Sequence, residues 1–221
     1  MKKSFWILFF LVYSTAAFAQ EEARSLLTAL YKKHKQVQRY QADLRIEADI
    51  PMLKIPPADA RLEFTQPDQL KFDSKSLAVL PKQGFSDFNA IISDTADITA
   101  LMSGEEMVDG RSCKLVTILP GPSMSDLILA KLWIDADKKL VLRSQLSYRS
   151  TGTVDISYSY GKQAVYGLPD KLQFSMDVRN MKIPKAMTAD MHVQRNKEES
   201  SKASERPAII VLLFSNYRVN Y

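Results

Sequence analysis

Asp135 and Asp137 stand two apart in the stretch KLWIDADKKLVLRSQLSY (Lys131 to Tyr148), a DxD pair of the kind that can hold a divalent metal or a sugar phosphate. Other residues able to do chemistry are few. His34 and His192 are the only imidazoles, and Cys113 is the only thiol. A hydrolase needs a nucleophile, a base and an orienting group, and no GxSxG, HExxH, P-loop or GxGxxG spacing supplies them. One thiol and two distant histidines do not make a zinc site. Lys138 and Lys139 follow the acid pair at once, and their charges oppose a bound cation. Flanked by Trp133-Ile134 and Leu140-Val141-Leu142, the five residues from Asp135 to Lys139 read as a hairpin connection in which aspartate bonds its own backbone. Cys113, beside Asp109-Gly110, reads as a small core residue, and His34 as a packed or capping one. No catalytic residue, metal ligand or cofactor is assigned.

The elements that position these residues begin with a helix. From Glu21 to Arg39, Ala23, Leu26, Leu27, Leu30, Tyr31 and Val37 follow the spacing of a single buried helical stripe. After Tyr40 the period changes to two. Ala42, Leu44, Ile46, Ala48 and Ile50 alternate with Asp43, Arg45, Glu47 and Asp49, and Leu62, Phe64, Leu70 and Phe72 continue the pattern. Leu140, Leu142, Leu146 and Tyr148 are expected to turn one face inward, as are Val154, Ile156, Tyr158 and Tyr160, and Leu172, Phe174, Met176 and Val178. Asp109-Gly110 signals a tight hairpin between Ile98–Val108 and Arg111–Leu119, and Thr151-Gly152 and Gly161 punctuate the later strands. The run Ala208 to Phe214 is almost wholly apolar, as in a strand covered on both faces or packed at a seam of the sheet. About eight to eleven antiparallel strands follow from this spacing. Such a sheet curves and must cover its apolar face, for which the N-terminal helix and short helical stretches near Ser86–Ile92 and Ser123–Ile128 are available. RNKEESSKASER, Arg195 to Arg206, holds no apolar residue except Ala203 and reads as a mobile surface loop (195–206), a hairpin connection or a partner contact.

Two lysines, an apolar run from Phe5 to Tyr13 and the ending Ala17-Phe18-Ala19 make residues 1–19 a secretory signal peptide, cleaved after Ala19. Removing Lys2 and Lys3 from the formal charge of +5 leaves a mildly basic mature chain without an aromatic-interleaved basic stripe, so no nucleic-acid partner is expected. With one cysteine, no intramolecular disulfide can form.

Several segments together resemble the LolA/LolB superfamily, the periplasmic outer-membrane lipoprotein carriers and their relatives. They are a helix leading into a strand (LLTALYKKHKQVQRYQADLRIEADI), a strand followed by a proline (RLEFTQPDQLKFDS), the hairpin LWIDADKKLVLRSQL, the strand in GLPDKLQFSMDV and the ending FSNYRVNY. The resemblance implies an α+β, mainly β fold: a strongly curved antiparallel sheet, an incomplete, half-open β-barrel, with helices covering a concave apolar face that holds acyl chains. It implies one LolA-like domain over residues 20–221 in the periplasm, monomeric and non-enzymatic. Its ligands would be acyl chains of lipoproteins or lipids, in outer-membrane lipoprotein sorting, with membrane-associated donor and acceptor proteins as partners. The alternative within the superfamily is an RseB-like module that senses lipid or lipopeptide or engages a protein. On consistent strand parity, Leu44, Ile46, Leu62, Phe64, Phe72, Leu146, Tyr148, Tyr158, Phe174 and Met176 point at the concave side and are the acyl-cavity candidates. Eight methionines of the mature chain, Met102, Met107, Met124 and Met176 among them, would give adaptable apolar surface. Arg45 falls on the opposite face, and the lid-holding arginine of the superfamily's carriers is not carried over to Arg45 or Arg61.

Overall fold

A computed structural model describes residues 19–51, 53, 55–66, 69–73, 91–92, 95–124, 126–177 and 206–220. Residues 1–18, most of the Ser86–Ile92 stretch, Met181, Met187, Met191 and residues 195–205 lie outside them.

Helix α1 occupies residues 19–34. It stops short of the Arg39 expected from periodicity, because residues 35–38 turn into the sheet. There the Gln66 side-chain amide donates to the carbonyls of Lys35 and Val37, each at 2.9 Å. Ten strands follow: β1 (Arg39–Asp49), β2 (Ala58–Thr65), β3 (Gln69–Asp73), β4 (Ile98–Val108), β5 (Arg111–Pro120), β6 (Leu127–Asp135), β7 (Leu140–Tyr148), β8 (Gly152–Ser159), β9 (Lys171–Met176) and β10 (Ala208–Asn220). They form one antiparallel sheet in the order β3-β2-β1-β10-β9-β8-β7-β6-β5-β4. Its two ends, β3 and β4, are consecutive in the chain and not paired with each other, so the sheet is open. The architecture fits an open, curved sheet.

Each hairpin has a local cause. Between β4 and β5, Asp109 and Gly110 both take positive φ, 49° and 74°, the left-handed pair that matches the twist of flanking strands. Between β6 and β7, Asp135 Oδ1 accepts the Lys138 N–H at 3.0 Å, the self-bonding aspartate turn expected from DADKK. β10 lies between β1 and β9, a central seam that joins the β1–β3 meander to the β4–β9 meander. Its first seven residues alternate buried with half-buried, as their apolar composition requires.

Among the described residues of Ser123–Ile128 there is no α-helix. Pro122–Met124 is a single 3₁₀ turn and β6 begins at Leu127. The chain turns there because Gly121 N donates to Asp97 O at 2.7 Å and Ser123 bonds the Asp97 carboxylate, after which Leu127 and Leu129 enter the ladder with β7. Of the Ser86–Ile92 stretch, Ile91 and Ile92 are described. They are helical and buried in the main core.

Candidate functional site

The largest apolar surface is one face of the sheet, and strand register shows how it is assembled. In β1, Leu44 lies between Ala60 of β2 and Phe214 of β10, and Ile46 between Ala58 and Leu212. Leu62 lies between Ala42 and Phe72, and Phe64 between Tyr40 and Leu70. On the other side of the β10 seam, Phe174 sits between Ile156 and Ile210, and Met176 between Val154 and Ala208. Tyr158 faces Leu172, Leu146 lies between Ala130 and Val154, and Tyr148 pairs with Leu127. Register neighbours of this kind place side chains about 5 Å apart on one face.

The ten sequence-predicted candidates therefore share a face. Leu44, Ile46, Leu62, Leu146, Tyr148, Tyr158 and Phe174 are buried in a single cluster, and Phe72 and Met176 pack against it half-buried. Phe64 stacks on Tyr40 with ring centroids 5.2 Å apart, and Tyr40 packs on the same cluster. From the helix, Ala23, Leu27 and Leu30 join the cluster, so the buried stripe of α1 meets the sheet on this side. The helix is tied to neighbouring elements by polar contacts at both ends. Lys114 Nζ lies 3.5 Å from Glu22 Oε1, and Lys33 Nζ donates to the Lys138 carbonyl at 2.6 Å.

Polar groups within the face are few, and Ser144, Tyr158, Tyr160 and Tyr217 are hydrogen-bonded. Ser144, fully buried, shares a 3.0 Å hydrogen bond with the Tyr158 hydroxyl. Burial pushes the Tyr158 phenol up to about 12, against a smaller lowering by Ser144, so it stays protonated. Tyr160 donates to the Val141 carbonyl at 2.8 Å and Tyr217 to the Pro169 carbonyl at 2.6 Å, and burial raises both phenols well above their ordinary value.

The opposite face of the sheet carries a smaller cluster, and here one expectation is corrected. Leu140 and Leu142 do not share the face of Leu146 and Tyr148; they pack with Cys113, Leu115 and Trp133 behind the sheet. The cause is a bulge: Trp133 pairs with Arg143 and Ile134 with Val141, leaving Leu142 as an extra residue. A one-residue slip exchanges faces, so Val141, rather than its neighbours, joins the main cluster.

Of the residues singled out for chemistry, Asp135 lies near Cys113, while His34 lies at the end of α1. Asp135 is buried at the β6–β7 turn, held by Lys138 N and 3.7 Å from Arg111, while Asp137 is exposed at the tip. Cys113 is fully buried and its thiol is pushed up by burial and next by Asp135, which disfavours the reactive thiolate. His34, at the end of α1, packs on Gly167, where an added Cβ would lie 3.3 Å from Nε2. Burial, and then Lys33, lower its pKa to about 4, so it is neutral at pH 7. His192 lies outside the described residues. Among the described residues no group of three His, Cys, Asp or Glu side chains could hold a metal ion. Arg45 is half-exposed, with its guanidinium 3.0 Å from Glu47 and 3.5 Å from Asp59, on the side away from the main cluster.

Sequence reasoning named Phe64 but missed the rest of the aromatic end of the face. Tyr40, Phe64, Phe214 and Tyr217 form a chain of rings, with Tyr40–Tyr217 and Phe214–Tyr217 centroids 5.9 and 6.3 Å apart. Tyr40 has the parity of Leu44 and Ile46 and was available as a signal. Val116, Ile118, Leu132 and Ile134 also belong to the face, but the nearly continuous burial of β6 hides which of its residues point inward.

No family model matches the sequence, and no curated protein matches it by sequence. Solved structures do match in fold. An outer-membrane lipoprotein-sorting protein domain from Vibrio parahaemolyticus aligns with a TM-score of 0.60 at 10% identity, covering 91% of this chain and 93% of its own. A DUF1329 family protein from Desulfovibrio piger aligns with a TM-score of 0.57 at 12% identity, over the same shares. A LolA superfamily protein from Nitrosomonas europaea aligns at 10% identity and a TM-score of 0.48, over 87% of this chain and 93% of its own. The first two carry the fold assignment: the chain shares the fold of the lipoprotein-sorting protein domain and of the DUF1329 family protein.

Proposed function

We propose that the protein is a non-enzymatic periplasmic carrier that takes up acyl chains of lipoproteins or lipids between the apolar face of its sheet and α1. The observation that carries this reading is the face itself. It runs across all ten strands, its polar groups described above are hydrogen-bonded, and a helix stripe meets it. Moving an acyl chain through water requires its methylenes to be withdrawn from solvent, at roughly 0.8 kcal/mol per CH₂. In this structure the face packs on itself. Uptake therefore requires side chains to repack, and Met102, Met124 and Met176, half-buried at the margin of the cluster, are the adaptable residues for that. The cavity candidates in this reading are Leu44, Ile46, Leu62, Phe64, Phe72, Leu146, Tyr148, Tyr158, Phe174 and Met176. The fold shared with a lipoprotein-sorting domain supports the same class of ligand. Native mass spectrometry of the protein purified from a bacterial periplasm is expected to show a bound lipid or fatty acid. Absence of any adduct, together with no uptake of a fluorescent fatty acid, contradicts the proposal.

A further inference from the structure

The outward side of α1 borders an open groove of about 760 Å³, completed by Lys139 of the β6–β7 turn and Val165 of the 3₁₀ turn Lys162–Tyr166. Its lining is electrostatically one-sided. Arg24, Lys32, Lys33 and Lys139 face it, against the single carboxylate of Glu21. Arg24, Thr28 and Lys32 follow at four-residue spacing, so one helical face presents both cations.

Little in the described structure neutralises this charge: Glu21 borders the groove, Asp135 favours the charged form of Lys33 from beyond salt-bridge distance, and Lys33 Nζ donates to the Lys138 carbonyl. None of the four cations forms a salt bridge among the described residues, whereas Arg39, Arg45, Arg61, Arg111, Lys114 and Arg143 each have a carboxylate. Arg24 Nε is buried without a hydrogen-bond partner in the described structure. Lys139 arrives with φ 52°, a left-handed conformation rare outside glycine, and its charge adds to burial in lowering the pKa of Lys33. The fold holds like charges together around an open groove, an arrangement that an anion with several acceptor oxygens relieves. At the rim Val165 is 61% exposed, an apolar side chain beside cations. That pairing suits a bilayer interface, where lipid phosphates meet lysine and arginine while an apolar side chain enters the headgroup region.

We propose that this groove is the face by which the protein docks on bilayers containing anionic phospholipids, with lipid phosphates seated among Arg24, Lys32, Lys33 and Lys139. The proposal deepens the carrier reading, and rests on it for its purpose, because acyl cargo must leave one membrane and enter another.

Co-sedimentation with vesicles of phosphatidylcholine, with and without phosphatidylglycerol, tests it on the full mature chain. Expected is binding only to the phosphatidylglycerol vesicles, weakened by added salt. The double variant Lys32→Glu/Lys139→Glu, both exposed positions, should lose affinity at least about tenfold, since each basic residue near an anionic surface contributes about fivefold. The control Lys71→Glu/Arg218→Glu, with the same net charge, should bind as the parent does. Equal binding to both vesicle types, undiminished binding of the groove variant, or an equal loss in the control overturns the proposal. So does binding to an acidic peptide such as polyglutamate without binding to vesicles, which would assign the groove to a protein partner. Fatty-acid uptake is read separately on the same samples. If uptake is absent while groove-dependent vesicle binding persists, the carrier reading falls and the docking surface stands.

Discussion

His34 shows how much a single side chain can be misread from its type. An imidazole among so few titratable candidates invites a catalytic role, yet its position at the end of α1 against Gly167 makes it a packing residue held neutral. Its effect on stability has a definite sign. The folded pKa, about 4, lies below the ordinary 6.5, so the fold favours the neutral ring. This contribution is complete above pH 6.5 and is lost as pH falls from there toward 4. Urea unfolding at stepped pH should show a loss of about 1–3 kcal/mol across that window, and His34→Gln should flatten it. A parent profile as flat as that of the variant would show that the ring is solvated. The Asp135 carboxylate is the counterpart among the acids. The DADKK spacing made its turn role legible, but its burial and its approach to Arg111 came only with the register of β5 against β6.

At the scale of elements, local chemistry was the legible part and register the hidden part. Asp109-Gly110 announced the β4–β5 hairpin because the turn needs two residues at positive φ, and both adopt it. Nothing lies within 4 Å of where a Gly110 Cβ would be, so Gly110→Ala tests conformation alone. It should destabilise by about 1–2 kcal/mol in equilibrium denaturation, the cost of a left-handed non-glycine residue. A neutral result would mean that the turn relaxes to another type. The β6–β7 pair is the opposite case. Period-two reading carried Leu140 and Leu142 onto the face of Leu146, and one bulged residue reversed them. Bulges leave no signature in alternation, since the chain on either side keeps its period. The expected helix at Ser123–Ile128 failed for a related reason. Apolar spacing in six residues cannot separate a helix from the start of a strand, and the Gly121 and Ser123 bonds to Asp97 decided it.

For the whole molecule, the antiparallel sheet was legible because most of its strands have one apolar and one wetter face and leave the same alternating trace. The order of strands was not, since pairing β10 with both β1 and β9 is a long-range choice. All ten proposed face residues fell on one side because parity errors arise only at bulges, and none of them lies beyond the Leu142 bulge from its neighbours. What that face does depends on whether it can open to a ligand. Met176 gives the most direct test: it lies on β9 at the margin of the cluster, half-buried, where a substitution perturbs the face more than the fold. The decisive measurement is a fluorescence titration of the mature protein with an acyl-chain probe, competed by an unlabelled fatty acid and repeated on Met176→Asp. Expected is saturable, competable binding by the parent and a loss of at least about tenfold in the variant, whose carboxylate would have to be desolvated beside the chain. No binding by the folded parent, or equal binding by both proteins, would contradict the assignment of this face to acyl chains.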